Sequence, residues 1–378
     1  MKTRKLFASS LAAVLFAAML AGCSTGSDTS SQTAGTEDST PSTSSTGSSA
    51  SSEESAEEPS GDYADTITLV WYPNESAEDY DVAREEYARL FKEATGKEVE
   101  QKLTTDYAIA IESLASGTAQ ICFMGAQGYI EAKNANDAVE PLFVNSGASG
   151  TLDDALYYSF LSVNKGDEGE YADGDGYSID NIAGKRISFV SNSSTSGFVV
   201  PTNSIISHFS QIDGWADLTQ DDLIEGGSDM LFSQVLFGGS HQGSAYNLLS
   251  GNADVAAFCN TEIAPYATCT EGEANTAGAV YTINDDATAP FDTVTGSQFV
   301  IIQSTPVLNG PFAYNSDALD PADVEAIQEL FTSDEVANNE LIFVPEDSDG
   351  VGMFEKTENE RFVLVDDAWF DPIRNLSE

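Results

Sequence analysis

Residues Leu114–Cys122 read LASGTAQIC, and residues Leu248–Ala256 repeat the pattern as LLSGNADVA. In each copy an apolar helical segment ends at Ser-Gly, which is typical of a helix C-terminus, and a short apolar strand follows. The repeat indicates two lobes that are wound in the same way. A common helix-to-strand connection would produce the same match by chance, so the repeat alone leaves both interpretations open.

The segments before the first copy continue this alternation of strand and helix. An apolar run, Ile67–Tyr72, precedes the helical pattern of Tyr80–Thr95, which stops at Gly96, and Val99–Leu103 has the composition of a strand. Alternation of this kind predicts an α/β fold with largely parallel sheets.

Two strand-like segments, Tyr157–Asn164 and Phe299–Gln303, are expected to connect the lobes. They predict two similar α/β lobes joined by a two-strand hinge. Lobe one would contain residues 63–162 and 300–378, and lobe two would contain residues 163–299. The cleft between such lobes is where a ligand would bind.

The amino-terminal residues predict export. Three basic residues precede an apolar run, Leu11–Leu20, which is too short to span a bilayer comfortably, so we expect a signal peptide over residues 1–22. The small residues before Cys23 resemble the lipobox of bacterial lipoproteins, which implies that Cys23 is diacylated. A simple secretory signal with an incidental cysteine is the alternative. Residues 23–62 are rich in Ser, Thr and acid and predict a disordered tether, hence an extracytoplasmic protein held at the cell membrane by its lipid anchor alone.

The charge of the chain restricts its partners. There are 62 acidic and 15 basic residues, which give a formal net charge of -47. Nucleic acid is excluded as a partner, because no basic stripe is present to displace its counterions. An anionic ligand would have to be held by local dipoles and hydroxyl groups, against an unfavourable long-range field.

Neither a metal nor a cofactor is predicted. The cysteines and histidines are not spaced as zinc ligands, and the acidic loop Gly166–Gly176 lacks the residue order of a calcium loop. Cys122 lies in an apolar run and is expected to be buried. Cys259 and Cys269 could form a short disulfide outside the cell, and the sequence leaves this open.

The clearest signal for a binding site is ISFVSNSSTSGFVVP, from Ile187 to Pro201. An apolar strand runs into Ser194, Thr195 and Ser196 at the predicted start of a helix. Free backbone N–H groups and the positive end of the helix dipole bind tetrahedral anions at such a place without Lys or Arg. These residues are also the usual N-caps of any helix, which is the simpler interpretation.

Four blocks of sequence carry a resemblance to a known family. They are TTDYAIAIESLASGTAQICFMG (Thr104–Gly125), GKRISFVSNSSTSGFVVP (Gly184–Pro201), GGSHQGSAYNLLSGNADVAAFCNTE (Gly238–Glu262) and STPVLNGPFAY (Ser304–Tyr314). In this order they resemble the phosphonate, phosphite and phosphate-type solute-binding proteins of ABC importers, which have a type II periplasmic-binding-protein fold.

The resemblance implies a set of ligand contacts. Hydroxyl and imidazole donors would come from Tyr107 and Tyr157 of lobe one and from Ser194, Thr195, Ser196 and His241 of lobe two. Glu262 corresponds to a carboxylate that pairs with the substrate ammonium in aminophosphonate-binding members. The second acidic partner of those members falls near Gly310, which has no side chain, so phosphite, methylphosphonate and phosphate remain open as ligands.

Three more polar residues receive separate interpretations. Tyr129 follows the loop at Gly125 and is a candidate for the cleft lining. Asp254 begins a predicted strand and is expected to cap local structure, and His208 is expected to fill the surface or the core.

The sequence therefore predicts a monomeric binding protein that closes around a small phosphorus oxyanion, without catalysis, and delivers it to a cognate ABC permease and ATPase. Alternatives are a ligand-sensing partner of a receptor, or an importer subunit for another small anion such as a sulfonate. An extracellular hydrolase is disfavoured, because no G-x-S-x-G elbow surrounds any serine.

Overall fold

The structure is a computed structural model that describes residues 63–74, 80–345, 348 and 352–376. The predicted signal peptide, the lipidation site Cys23 and the tether up to residue 62 lie outside the described residues. No helix among the described residues is long and apolar enough to cross a bilayer.

The described chain alternates strands and helices from its first element onward. The strands are β1 (Thr66–Trp71), β2 (Glu98–Leu103), β3 (Ile121–Phe123), β4 (Val139–Asn145), β5 (Leu156–Asn164), β6 (Ala172–Asp173), β7 (Gly176–Tyr177), β8 (Arg186–Phe189), β9 (Gln234–Phe237), β10 (Val255–Cys259), β11 (Ala267–Glu271), β12 (Val280–Ile283), β13 (Gln298–Leu308), β14 (Phe312–Asn315), β15 (Phe343–Pro345), β16 (Phe354–Lys356) and β17 (Phe362–Val363). The α-helices are α1 (Asp81–Thr95), α2 (Tyr107–Ala115), α3 (Ala126–Ala135), α4 (Val200–Phe209), α5 (His241–Leu249), α6 (Pro321–Phe331), α7 (Asp334–Ala337) and α8 (Asp371–Arg374).

Two large sheets organise these elements. The first sheet has the strand order β17-β4-β14-β3-β1-β2, and the second has the order β11-β12-β13-β5-β10-β8-β9. Strands β1, β2 and β3 run parallel, as do β8, β9 and β10, while β5, β13 and β14 pair antiparallel with their neighbours. The prediction of largely parallel sheets was therefore wrong, because β5, β13 and β14 run antiparallel to the strands beside them.

The repeated helix-to-strand unit is confirmed in both sheets. Ser116 is the C-cap of α2 and Ser250 is the C-cap of α5, and the following Gly117 and Gly251 have φ values of 73° and 75°. A left-handed conformation of this kind strains any residue with a Cβ atom, which explains the glycine in each copy. Strands β3 and β10 then enter the centres of their sheets. The two lobes are thus built on the same local plan.

The long strands β5 and β13 pair with each other along their length, from Asn164 opposite Phe299 to Leu156 opposite Leu308. Both belong to the second sheet, so the chain passes between the sheets after β4 and again between β13 and β14. These two passages are close in space, because Asn309 donates from its backbone N–H to the carbonyl of Ala155. The lobe limits predicted at residues 162 and 300 stay a prediction.

Separate apolar cores lie on the faces of each sheet. One face of the first sheet carries an aromatic cluster in which Trp71 packs edge-on against Tyr87 at 5.4 Å, and Phe143 stacks on Phe331 at 4.8 Å. Helix α1 covers this face with Tyr87, Leu90 and Phe91, all fully buried. Aromatic side chains bury large areas and restrict one another, so this core holds α1 firmly against the first sheet.

Candidate functional site

A cavity of about 90 Å³ lies between the two sheets, where β3, β10 and the strand-to-helix turn after β8 converge. All seven residues predicted as ligand contacts line it: Tyr107, Tyr157, Ser194, Thr195, Ser196, His241 and Glu262. This volume is far below the ~300–1,000 Å³ of clefts that hold drug-sized molecules, so the cavity suits a very small ligand.

The turn after β8 has the helix start that the sequence predicts, with a π-helical turn, Thr195–Val199, before α4. Ser194 is the N-cap, because its hydroxyl accepts a hydrogen bond of 3.1 Å from the backbone N–H of Gly197. A Cβ atom on Gly197 would lie 2.2 Å from Cγ2 of Val190, so only glycine fits there. The π-helical geometry was not predicted, since nothing in the sequence distinguishes it from an ordinary first turn.

Ser196 has an unusual environment. Its side chain is 1% exposed, and its hydroxyl makes no well-formed hydrogen bond with the described residues. The hydroxyl does lie near Tyr157 and Cys259, where it partly offsets the burial that raises their pKa values, and the carbonyl of Ser196 accepts from Ser159 at 2.6 Å. An unpaired buried hydroxyl costs on the order of 1–3 kcal/mol. A hydroxyl left in this state beside a cavity is available to an acceptor that enters it.

Thr195 connects the turn to the other sheet. Its Oγ1 accepts a hydrogen bond of 2.9 Å from the backbone N–H of Gln127, in the first turn of α3. A hydroxyl that accepts here can still donate its own proton. Next to it, Ser193 donates to Oε2 of Glu131 on α3 at 2.8 Å. Two hydrogen bonds therefore join the second sheet's turn to a helix of the first sheet, at the edge of the cavity.

His241 is the first residue of α5 and is 4% exposed. Its Nδ1 accepts a hydrogen bond of 3.1 Å from the backbone N–H of Cys259. Burial lowers the pKa of His241 from 6.5 to about 3. The imidazole is therefore neutral, and because Nδ1 accepts, the proton is on Nε2. His241 offers the cavity one N–H donor and no charge.

Two tyrosine hydroxyl groups line the cavity, that of Tyr107 on α2 and that of Tyr157 on β5 of the second sheet. Tyr107 begins α2, where Asp106 caps the helix by accepting from the N–H of Ala108 at 2.8 Å, and its hydroxyl donates to Asn74. Tyr157 lies on β5, and burial is the main cause that raises its pKa. A raised pKa keeps this phenol protonated, hence a donor, throughout the ordinary pH range.

Glu262 is the acidic residue among the described residues of the lining, and these include no Lys or Arg. It follows β10, and its charge helps to raise the pKa of both Tyr157 and Cys259. Burial is the larger cause for Cys259, whose pKa rises to about 12. Cys259 is a free, buried thiol in the cavity lining, and Cys122 and Cys269 are free as well, so the structure contains no disulfide between Cys259 and Cys269.

Gly310 lines the cavity at the place where an acidic side chain was expected by resemblance. A Cβ atom there would lie 2.2 Å from the carbonyl oxygen of Met124 and 2.8 Å from Cα of Gly125. The backbone of the return segment thus passes too close to the loop after β3 for any side chain. This contact gives a physical reason for the missing carboxylate.

Sequence reasoning missed part of the lining. Met353 and Phe354 reach the cavity from the carboxyl-terminal segment, together with Phe123 and Met124 at the end of β3. No motif marks Met353 or Phe354, and their distance along the chain from the other site residues gave no signal. Tyr72 also lines the cavity, and its ring lies 4.6 Å from that of Tyr107; its place at the end of β1 was the available clue.

Three other predictions are settled by side-chain contacts. Tyr129, a candidate for the cleft lining, does not line the cavity: it is fully buried, and its hydroxyl donates to Asp367 at 2.8 Å. Asp254 has the expected structural role, because its carboxylate binds the guanidinium of Arg186 at 2.6 and 3.1 Å. His208 lies at the surface of α4, with Nε2 2.6 Å from Asp180.

The sequence from residue 69 to residue 370 matches the family model described as ABC transporter, phosphonate, periplasmic substrate-binding protein. The chain belongs to this family. The match covers most of the chain, including every lining residue of the cavity, and the family fold is the two-lobed type II periplasmic-binding-protein fold that the sequence predicts.

Individual relatives agree with this assignment. The chain is 26% identical over 208 residues to the phosphate-import protein PhnD of Mycolicibacterium smegmatis, a match that covers 53% of this chain and 57% of that protein. Among solved structures, a binding protein component of an ABC phosphonate transporter from Pseudomonas aeruginosa is similar with a TM-score of 0.55 and 18% identity, over 82% of this chain and 85% of that one. PhnD1 of Prochlorococcus marinus, solved in complex with methylphosphonate, has a TM-score of 0.55 and 13% identity, over 82% and 97%.

Proposed function

We propose that this protein is the extracytoplasmic binding component of an ABC importer, and that its cavity holds a phosphonate or a related phosphorus oxyanion, phosphite or phosphate. The observation that carries the proposal is the convergence of seven residues, from five separate places in the sequence, on one cavity of about 90 Å³. Family membership supports the same conclusion, because the family consists of transport binding proteins.

The chemistry of the lining suits an oxyanion that is bound by hydrogen bonds alone. We propose direct contacts from the hydroxyl groups of Tyr157, Ser194, Thr195 and Ser196 and from the Nε2–H of His241. Tyr107, whose hydroxyl donates to Asn74 in this structure, would turn its proton from Asn74 to the ligand. The first turn of the helix after Ser194 adds backbone N–H groups and a favourable dipole. Hydrogen bonds to a charged acceptor in a dry site are about twice as strong as neutral ones, so several of them replace a basic residue.

We propose that binding occurs by closure of the two lobes, without catalysis. The bonds from Gln127 to Thr195 and from Ser193 to Glu131 would form on closure, because they connect the second sheet's turn with α3 of the first sheet. The ligand-bound monomer would then dock on a cognate permease and its ATPase.

We further propose that Cys23 carries the lipid anchor and that residues 23–62 tether the binding domain to the cell membrane. The support is the order of basic residues, apolar run and small residues before Cys23. Metabolic labelling with a palmitate analogue tests this proposal. Label on the wild-type protein but not on a Cys23→Ser variant is expected, and equal labelling of both would contradict it.

Isothermal titration of the full-length protein tests the binding function. Phosphate, phosphite, methylphosphonate and aminoethylphosphonate form the panel, with methanesulfonate as the contrasting anion. In an unfolding experiment at a ligand concentration a thousand times the dissociation constant, the preferred ligand should add about 4 kcal/mol to the free energy of unfolding. The absence of binding to every phosphorus compound, or preference for the sulfonate, would refute the proposal. Loss of ligand uptake in cells that lack this gene separates transport from sensing.

A further inference from the structure

One wall of the cavity is apolar. It is formed by Phe123 and Met124 at the end of β3 and by Met353 and Phe354 from the carboxyl-terminal segment, and we refer to these four residues as the apolar wall. The hydroxyl and imidazole donors belong to other elements: the turn after β8, the start of α5, the start of α2, and β5. We refer to the elements that carry these donors as the donor side. The polar residues Asn74, Asn145, Thr261 and Asn309 also line the cavity.

The apolar wall is held by core packing. The ring of Phe354 lies 6.2 Å from Phe123, 5.7 Å from Phe343 and 5.6 Å from Phe362, measured between ring centroids. Strand β16, which begins at Phe354, pairs in parallel with β15, and Nζ of Lys356 donates to the carbonyls of Ala337 and Glu360 at 2.7 and 2.9 Å. Phe354 is therefore anchored in the aromatic cluster of the first sheet.

A fixed apolar surface restricts what a tetrahedral ligand can place against it. Free phosphate has four oxygens, and an oxygen that faces the apolar wall would lose its hydrogen bonds to water without replacement. A phosphonate has three oxygens and one carbon. Its oxygens can face the donor side while its carbon substituent contacts the wall.

We propose that the apolar wall selects phosphonates whose carbon substituent is short and uncharged, and that Met353 and Phe354 are specificity-determining residues. The inference rests on the proposed function and deepens it by naming the ligand class. An aminoalkyl substituent is disfavoured, because its ammonium would lie against the wall and the close backbone contact leaves no room for a carboxylate at position 310. Glu262 stands near Tyr157 and Cys259, on the side of the second sheet.

Titration calorimetry of the full-length protein tests the selection. Dissociation constants are measured for phosphate, methylphosphonate, propylphosphonate and aminomethylphosphonate in the wild type, Met353→Gln and Phe354→Ala. Leu341→Ala is the matched control, because Leu341 is a 43% exposed apolar residue outside the cavity lining, close to β15.

We expect the wild type to bind methylphosphonate about tenfold or more tightly than phosphate or aminomethylphosphonate, since an unpaired polar group carries a cost of that size. Met353→Gln should reduce the preference over phosphate by several fold, because its amide can donate to a fourth oxygen. Phe354→Ala should shift the preference toward propylphosphonate, and Leu341→Ala should change neither ratio.

Two results would overturn the inference while leaving the proposed function intact. One is a wild type that binds phosphate or aminomethylphosphonate as tightly as methylphosphonate, a comparison that needs no variant to fold. The other is a folded Met353→Gln protein with the wild-type ratio. Failure of the wild type to bind any of the four compounds would overturn the proposed function itself, and the inference with it.

Discussion

The backbone N–H of Cys259 donates a hydrogen bond of 3.1 Å to Nδ1 of His241, which leaves the imidazole proton on Nε2. A strand of the second sheet thereby sets the tautomer of a side chain that begins the neighbouring helix. The residue is 4% exposed, and burial lowers its pKa to about 3. This histidine serves as a neutral, oriented donor.

The first prediction concerns pH. Between about pH 3 and 6.5, unfolding lets His241 take up a proton that the folded protein does not bind, so stability falls as the pH drops below 6.5. His241→Gln should remove this part of the pH dependence, with a change in slope of up to about 1.4 kcal/mol per pH unit. Urea unfolding of both proteins from pH 7.5 to 4.5 measures it, and parallel stability curves would show that the histidine is not buried neutral.

The second prediction separates binding from folding at Ser196. Ser196→Ala removes a buried hydroxyl that makes no well-formed hydrogen bond with the described residues, so the unliganded protein should be as stable as the wild type or up to about 1 kcal/mol more stable. Ligand affinity should nevertheless fall by about 1–3 kcal/mol, because a charged acceptor loses a donor. Chemical denaturation and calorimetry give the two values. A variant with normal affinity would remove Ser196 from the site.

The third prediction concerns closure. Ser193→Ala breaks the 2.8 Å hydrogen bond to Glu131, which joins the turn after β8 to α3. We expect affinity to fall by about 0.5–1.5 kcal/mol, mainly through faster dissociation, because under the proposed closure this bond exists only in the closed form. Stopped-flow dissociation measures the effect, and Ser207→Ala on the exposed face of α4 is the control. An unchanged dissociation rate would mean that this bond does not help to hold the lobes closed.

The fourth prediction concerns Gly310. Gly310→Ala should destabilise the protein by about 1–3 kcal/mol, because the new Cβ atom meets the backbone at Met124 and Gly125 and either segment must move. Gly169→Ala is the matched control, since nothing lies within 4 Å of its Cβ position. Thermal unfolding of both variants provides the comparison. If the two lose equal stability, the close contact at Gly310 is not rigid.

One part of the predicted site came from a local signal, and the rest came from the family resemblance. The turn at Ser194–Ser196 depends on residues that are adjacent in the chain, so motif and geometry coincide there. The repeated Ser-Gly helix ends were equally local. Local features of this kind set the conformation of each segment, and the fold then brings the segments together at one cavity. Tyr107, Tyr157, His241 and Glu262 were assigned by resemblance, because no local pattern marks them as ligand contacts.

The parts that could not be predicted depend on long-range packing. Phe354 reaches the cavity through contacts with Phe343 and Phe362, and aromatic residues with such roles look like any core residue in a sequence. The antiparallel pairing of β5 with β13 likewise connects residues far apart in the chain, so the alternation of strands and helices suggested a more parallel sheet than exists. Tyr129 was misplaced because its partner, Asp367, is distant in sequence.

The cavity lining, as far as the structure describes it, holds no Lys or Arg, and this has a kinetic consequence. An anion that diffuses toward a chain of net charge -47 is repelled until it reaches the donors, and dissolved salt screens that repulsion beyond about 10 Å at 0.1 M. Ligand capture should therefore become faster as ionic strength rises, opposite to the behaviour of a basic pocket. Association rates measured across a salt series would reveal a decrease if attraction by fixed positive charge guided the ligand instead.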